Sequence, residues 1–167
     1  MDHKTVYPRR VLQKVIGKMW RALPARVRRW SMRATQTRFT VTAGALIFND
    51  EGQVLLLKHR FRAGSGWGIP GGFLEAGEHP EQALRRELSE EIGLEVQKVE
   101  IFLSRTFKRP QQVEILFRCH ANGAVKPKTI EIEQAKWFSV QSLPDGLPHD
   151  QQLLIERATS YGANGRD

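Results

Sequence analysis

Three glutamates within five residues are the most chemically distinctive feature of this sequence. Glu87 precedes Glu90 by three positions and Glu91 by four, so on an α-helix all three carboxylates project from one face. Like charges at these spacings destabilise a free helix by roughly 0.2–0.5 kcal/mol per close pair, and Arg86 offsets only part of this through Glu90. A hard divalent cation with oxygen ligands is the natural partner of such a cluster, and a solvated acidic helix face is the alternative.

The segment around these glutamates has the start and stop signals of a short helix. His79 and Pro80 open it, since proline suits the first helical turn, and Gly93 stands where a C-terminal glycine cap is expected. Leu88 and Ile92 fall on a different side from the carboxylates and are predicted to face the core.

From Phe39 onwards the pattern is typical of a mixed α/β domain. An Asn-Asp-Glu-Gly turn at 49–52 between two apolar runs predicts a hairpin, and a glycine-rich stretch at 64–72 leads into the glutamate helix. Strands are predicted at 41–48, 54–58, 98–107, 113–120 and 135–139, with a last helix at 150–161.

Length and composition restrict the class of protein. A chain of 167 residues with 40% hydrophobic residues is long enough for one core, and no apolar run approaches the ~20 residues that cross a bilayer. The single cysteine, Cys119, excludes an internal disulfide and disfavours a structural zinc site. We therefore expect a cytoplasmic protein.

The formal net charge of +8 is concentrated at the N-terminus. Residues 1–38 contain 11 Lys or Arg and one acid, whereas residues 39–167 contain 15 basic and 17 acidic residues. Apolar residues at helical spacing predict an amphipathic helix at 10–23, ended by Pro24, and a second short basic turn at 26–33. We predict a basic amphipathic helical extension, 1–38, and a catalytic or binding domain, 39–167.

Three interpretations of the extension are open. Its apolar stripe can pack on the same chain or on a second subunit in a homodimer, residues 10–33 can lie on an anionic membrane surface, or its basic face can bind nucleic-acid phosphates. Packing is favoured over the membrane surface, and sequence-specific nucleic-acid binding is disfavoured. A peripheral location at a membrane accompanies the second interpretation.

The sequence around the glutamates resembles a known family signature. The segment from Gly72 to Leu94 matches every specified position of the Nudix box, nine positions over 23 residues. Five residues separate Gly72 from Glu78, and seven separate Glu78 from the run that begins at Arg86. The lead-in Trp67 to Gly72 is also similar to that family. This match makes the solvated-face alternative much less attractive.

The resemblance implies a fold, a cofactor and a set of roles. The fold is a Nudix-type α/β/α sandwich with a mixed β-sheet, and the activity is Mg²⁺- or Mn²⁺-dependent hydrolysis of a phosphoanhydride bond in a nucleoside diphosphate linked to another group, or in a similar organic diphosphate. Glu87, Glu90 and Glu91 are the implied metal ligands, with the carbonyl of Gly71 as a further ligand. Glu90 is the first choice of general base and Glu131 the alternative, while Arg86 orients the glutamates.

Residues that bind the substrate are less well defined by the sequence. Arg60 and Arg62 follow the second strand near the expected site and are candidates to contact phosphate, together with Gly72; surface solubility is the alternative role for the arginines. Two other functional classes are open: a non-catalytic ligand-sensing domain, and a diphosphate isomerase, for which Cys119 lacks a recognisable supporting motif.

Overall fold

The computed structural model describes the backbone of residues 8–164 and most side chains between residues 13 and 160. By its internal contacts the chain divides into two compact units, Met1–Arg38 and Phe39–Asp167. The elements in chain order are α1 Pro8–Ala22, α2 Ala25–Thr35, β1 Thr40–Phe48, β2 Val54–His59, β3 Trp67–Gly68, β4 Gly71–Phe73, α3 Pro80–Glu91, β5 Gln97–Phe107, β6 Gln112–His120, β7 Ile132–Phe138 and α4 His149–Asn164.

Seven strands of the second unit form one mixed sheet. The strand order is β3-β2-β1-β6-β5, with β4 paired to β1 and β7 paired to β2. β1 and β6 run parallel along nine aligned pairs from Thr40–Gln112 to Phe48–His120, and the other pairings are antiparallel. The long β1–β6 pairing fixes the centre of the sheet.

Alternating side chains of the central strands fill two separate cores. In β1, Ala45 and Ile47 join the cluster that contains Leu88 of α3, whereas Leu46 joins the cluster that contains Ile155 of α4. Successive strand residues face opposite sides of a sheet, so α3 covers one face and α4 the other. The predicted α/β/α sandwich with a mixed sheet is confirmed.

The ends of α3 agree with the local sequence signals. The His79 side chain accepts from the Glu81 N–H, and Gln82 Oε1 accepts from the His79 N–H, which makes a capping box. At the other end Gly93 has φ +68°, and its N–H donates to the Ser89 carbonyl. Leu88 and Ile92 are buried, as predicted.

The predicted hairpin is present but pairs only at its turn. β1 and β2 are aligned at Phe48–Val54, beyond which β4 takes the edge of β1 that a regular hairpin would have used. Gly44 and Gly71 allow this because a Cβ on Gly71 would lie 2.6 Å from the Gly44 Cα. The glycine-rich stretch therefore contains two short strands that its composition did not predict.

The bounds of four further elements differ from expectation. β7 begins at Ile132 rather than at residue 135, and α4 extends over His149–Asn164. In the N-terminal unit α1 spans Pro8–Ala22, and the expected short basic turn is an 11-residue helix, α2. None of the helices among residues 8–164 is both long and apolar enough to cross a membrane.

Candidate active site

Arg86 connects α3 to the loop that precedes it. Its Nε and Nη2 donate to the two carboxylate oxygens of Glu78 at 3.0 and 3.1 Å, and Nη2 also donates to the Phe73 carbonyl. Its Nη1 donates to Glu87 at 3.0 Å and to Glu90 at 3.5 Å. Hydrogen bonds to Glu78 are the main cause that raises the pKa of Arg86, and Arg86 in turn lowers the pKa of Glu78.

The three glutamates of α3 differ strongly in burial. The side chain of Glu90 is 60% exposed and that of Glu87 is 19% exposed, whereas Glu91 as a residue is only 9% exposed. Glu91 Oε2 is buried and has no hydrogen-bond partner among the described residues. Burial, followed by the charges of Glu87 and Glu131, raises the pKa of Glu91 to about 7.

Glycine at position 72 makes room for Glu87. A Cβ at Gly72 would collide with the Glu87 carboxyl group, so the backbone of β4 and this side chain are in direct contact. Gly71 pairs with Gly44 of β1 in the same short strand. β4 thus brings two backbone positions beside the acidic face of α3.

Glu131 is held near the end of α3 by backbone contacts. Its carbonyl accepts from the Arg60 N–H at 2.8 Å, and the Lys128 N–H donates to the Glu91 carbonyl at 2.7 Å. The side chain of Glu131 is close enough to Glu91 to raise its pKa. The loop before β7 therefore adds a fourth carboxylate to the acidic cluster.

A cleft of about 260 Å³ opens beside β4. Arg62 contributes to it, and a Cβ on Gly68 would collide with the Arg62 guanidinium, which shows how closely that group covers the backbone. Burial lowers the pKa of Arg62, while the charges of Glu91 and Glu114 oppose the shift. The cleft is lined by Thr42, Ala43, Gly44, Arg62, Ile69, Pro70, Gly71, Gly72, Phe73, Gln112, Glu114 and Gln151.

The structure separates the two predicted substrate-binding arginines. Both residues are exposed, but Arg62 lines the cleft and Arg60 is not among the lining residues. Sequence reasoning missed the polar lining from distant elements: Gln112 Nε2 donates to Thr42 Oγ1, and Gln151 Oε1 accepts from the Ile69 N–H. Partners 70 and 82 residues apart leave no local sequence signal.

The sequence profile of the NUDIX domain matches residues 38–158. The chain belongs to the Nudix family. The chain is 35% identical to an NAD-capped RNA hydrolase NudC of Vibrio atlanticus over 100 aligned residues, which cover 59% of this chain and 37% of that protein. It is 34% identical to the human 8-oxo-dGDP phosphatase NUDT18 over 128 aligned residues, which cover 73% of this chain and 39% of that protein. The chain thus spans about two fifths of the length of these curated relatives.

Solved Nudix structures share the fold. A Nudix hydrolase from Nitrosomonas europaea superposes with a TM-score of 0.67 at 26% identity, covering 78% of this chain and 75% of that one. A MutT Nudix hydrolase from Burkholderia pseudomallei gives a TM-score of 0.62 at 28% identity, and the superposition covers 72% of this chain and 98% of that one. Both helices of the N-terminal unit precede the residues that the family profile matches.

Nudix proteins in general depend on a divalent metal, and the acidic face of α3 suits one. Among the side chains that the structure describes, no three His, Cys, Asp or Glu residues form a ready-made metal site, and Glu87 and Glu90 both pair with Arg86. The buried Oε2 of Glu91 nevertheless has no hydrogen-bond partner among the described residues, and the charges of Glu87 and Glu131 each raise the pKa of Glu91 more than the charge of Arg62 lowers it. A cation bound there would relieve both the desolvation and the repulsion.

The only cysteine of this Nudix chain is unsuited to isomerase chemistry. Cys119 lies in β6 within the core that faces α3 and is 2% exposed. Burial raises the pKa of its thiol to about 12, so the reactive thiolate is essentially absent at neutral pH. This argues against the isomerase alternative.

Proposed function

We propose that this protein hydrolyses a phosphoanhydride bond in a nucleoside diphosphate linked to another moiety, or in a similar organic diphosphate, with Mg²⁺ or Mn²⁺ as cofactor. The observation that carries the proposal is the buried carboxylate oxygen of Glu91, which has no hydrogen-bond partner in the described part of the chain and lies beside Glu87 and Glu131. The names of the two curated relatives, which both concern nucleotide substrates, support a nucleotide for this chain as well.

Glu87, Glu90 and Glu91 would hold the cation, with the Gly71 carbonyl as an additional ligand. When bound, the cation neutralises charge on the diphosphate and acidifies water, so that hydrolysis at phosphorus proceeds at neutral pH. Arg86 acts as a positioning residue, because it contacts the carboxylates rather than the cleft and is itself fixed by Glu78. The carbonyl of Phe73 restrains the same guanidinium.

Glu90 is the best candidate to accept the proton of the attacking water. Its side chain is 60% exposed, and its one described partner, Arg86, is 3.5 Å away, so its carboxylate remains accessible. Glu131 is the alternative base, since backbone contacts of Arg60 and Lys128 fix its loop next to Glu91. Comparison of Glu90→Gln with Glu131→Gln distinguishes the two, because the neutral amide cannot take up a proton.

Arg62 and Gly72 are the proposed contacts of the substrate. The guanidinium of Arg62 provides positive charge in the cleft, and Gly72 of β4 lines the same cleft. Arg60 is retained only as a surface contact outside the cleft, and Arg62 is the residue that we expect to bind phosphate.

The proposal is tested by incubating the full chain with Mg²⁺ and a panel of dinucleotides, nucleotide sugars, dinucleoside polyphosphates, capped RNA and nucleoside triphosphates. Chromatography of the products identifies both the bond that is broken and the leaving group. Tight binding of a panel compound without any cleavage would contradict the proposal and favour the non-catalytic sensor. Light scattering on the same sample tests the homodimer, which stays a prediction.

A further inference from the structure

Helix α1 carries an uncovered apolar stripe. Ile16, Met19 and Trp20 are spaced three and four residues apart and therefore share one face, and Leu23 follows directly after the end of the helix. In the structure they are 56%, 66%, 40% and 39% exposed, respectively. Large aliphatic and aromatic side chains grouped in this way are the usual mark of a binding surface, whereas scattered single residues are not.

Helix α2 repeats the arrangement on a smaller scale. None of its residues is buried, and Val27 and Trp30 lie three residues apart on one face, with Trp30 71% exposed. Arg26 and Arg33 stand four residues before and three residues after Trp30 and therefore border it, and Arg29 lies beside them on the same helix. Each of the two helices thus combines an exposed tryptophan with cationic side chains.

The charge of this unit is the second observation. Its 38 residues contain 11 Lys or Arg and a single acid, while the rest of the chain has slightly more acids than bases. The positive charge is therefore confined to the unit that carries the exposed apolar stripe. Any partner that covers this unit must both remove its apolar side chains from water and supply negative charge.

Only one of the three candidate partners satisfies both requirements. Single-stranded nucleic acid supplies phosphates and stacks on tryptophan, but it gives no apolar environment to Ile16, Met19 and Leu23. A second copy of the chain could cover the stripe, but it would bring two strongly basic segments together. An anionic phospholipid surface provides acyl chains for the apolar side chains and phosphates for the basic ones.

We propose that α1 and α2 form a peripheral anchor that lies in the headgroup region of an anionic phospholipid membrane. Trp20 and Trp30 enter the interface, since an indole ring is apolar with one polar edge. The arginines of α2 contact lipid phosphates. This membrane attachment goes beyond the proposed hydrolysis and does not depend on it.

Vesicle sedimentation of the full-length chain tests the anchor. Mixed phosphatidylcholine–phosphatidylglycerol vesicles are compared with pure phosphatidylcholine vesicles, and we expect clear pelleting only with the mixed ones. The charge variant Arg26→Gln/Arg29→Gln/Arg33→Gln should lower the partition coefficient by about 100-fold, because each basic residue contributes roughly fivefold. The apolar variant Ile16→Ser/Met19→Ser/Trp30→Ser should lower it at least about tenfold.

Two matched controls change the second unit in the same ways. Ile101→Ser/Ile130→Ser removes side chains that are 70% and 71% exposed, and Lys108→Gln/Lys126→Gln removes two exposed charges. Both controls should pellet like the parent chain. Quenching of tryptophan fluorescence by brominated lipid should accompany binding and weaken in Trp30→Phe, which reports insertion rather than charge attraction alone.

Several outcomes would overturn the proposal. Failure of the parent chain to pellet with mixed vesicles, or equal pelleting of parent and both anchor variants, would exclude it. Binding of a mixed-sequence single-stranded RNA without vesicle binding would assign the unit to nucleic acid instead. A dimer that is lost in the apolar variant, again without vesicle binding, would assign the stripe to a subunit interface.

Discussion

The guanidinium of Arg86 and the carboxylate of Glu78 form a bidentate pair, with N–O distances of 3.0 and 3.1 Å. The same guanidinium reaches Glu87 on its own helix at 3.0 Å. One arginine therefore joins the loop before α3 to an implied metal ligand. Because both side chains are only partly exposed, solvent weakens the attraction between them less than it weakens that of a fully exposed ion pair.

Arg86→Lys should lower kcat/KM by about 10–100-fold and should also lower the free energy of unfolding. Lysine keeps the charge but cannot form the bidentate pair with Glu78. Arg85→Lys is the matched control, since Arg85 pairs with Glu81 on the exposed side of α3. The Mg²⁺ concentration for half-maximal rate should rise in Arg86→Lys alone, and an equal rise in both variants would contradict a positioning role.

Gly72→Ala should reduce the hydrolysis rate at least about tenfold because the new methyl group occupies the space of the Glu87 carboxyl group. Gly77→Ala is the control: its Cβ meets nothing within 4 Å, although φ +87° makes the substitution strained. That control should cost about 1 kcal/mol of stability and leave the rate nearly unchanged. A full rate in Gly72→Ala would mean that the placement of Glu87 is unimportant.

Arg62→Ala should raise KM by about tenfold, because a charged contact in the cleft is lost. The accompanying decrease in kcat should be smaller. Arg60→Ala removes the same charge two residues earlier, outside the cleft, and should change KM little. Steady-state kinetics of the two variants on one substrate gives the comparison. Equal effects would indicate general electrostatic attraction instead of a contact.

The stability of the protein should fall in acid partly because of His59. Its Nε2 is buried without a described partner, and burial lowers its pKa from 6.5 to about 4. The unfolded chain therefore binds the proton more readily, so this contribution is complete above about pH 6.5 and is lost as the pH falls towards 4.

Urea unfolding of the parent and of His59→Gln between pH 4 and 7.5, about the window of the shift, isolates this contribution. Glu91, whose pKa is raised, makes the free energy of unfolding change with pH in the opposite direction. Because this contribution is present in both proteins, it cancels in the difference between their free energies of unfolding. The free energy of unfolding should decline less steeply with acid in His59→Gln. Parallel pH profiles for the two proteins would contradict a buried neutral His59.

Local signals explain what the sequence predicted correctly. The ends of α3 were predictable because a capping box and a C-terminal glycine act within four residues of the helix. Strands β1 and β2 were predictable because each is a short apolar run next to the turn at residues 49–52. The candidate glutamates of α3 were recognisable because the complete box is contiguous.

Long-range contacts explain what the sequence did not reveal. The replacement of β2 by β4 along β1 depends on the close approach of Gly44 and Gly71, which no local pattern encodes. Lys128 was not predicted to touch α3, yet its backbone joins the Glu131 loop to Glu91. The different burial of the three helix glutamates likewise depends on residues distant in the chain, because helical spacing alone treats them alike.

Magnesium-dependent turnover of the preferred panel substrate by Glu91→Gln and Glu90→Gln tests the central claim most directly. Both isosteric variants should lose about 10²–10⁴-fold in kcat, while Glu91→Gln unfolds no more easily than the metal-free parent because a repelled buried charge is removed. Hydrolysis at the parental rate by both variants would contradict a catalytic role for the acidic face of α3.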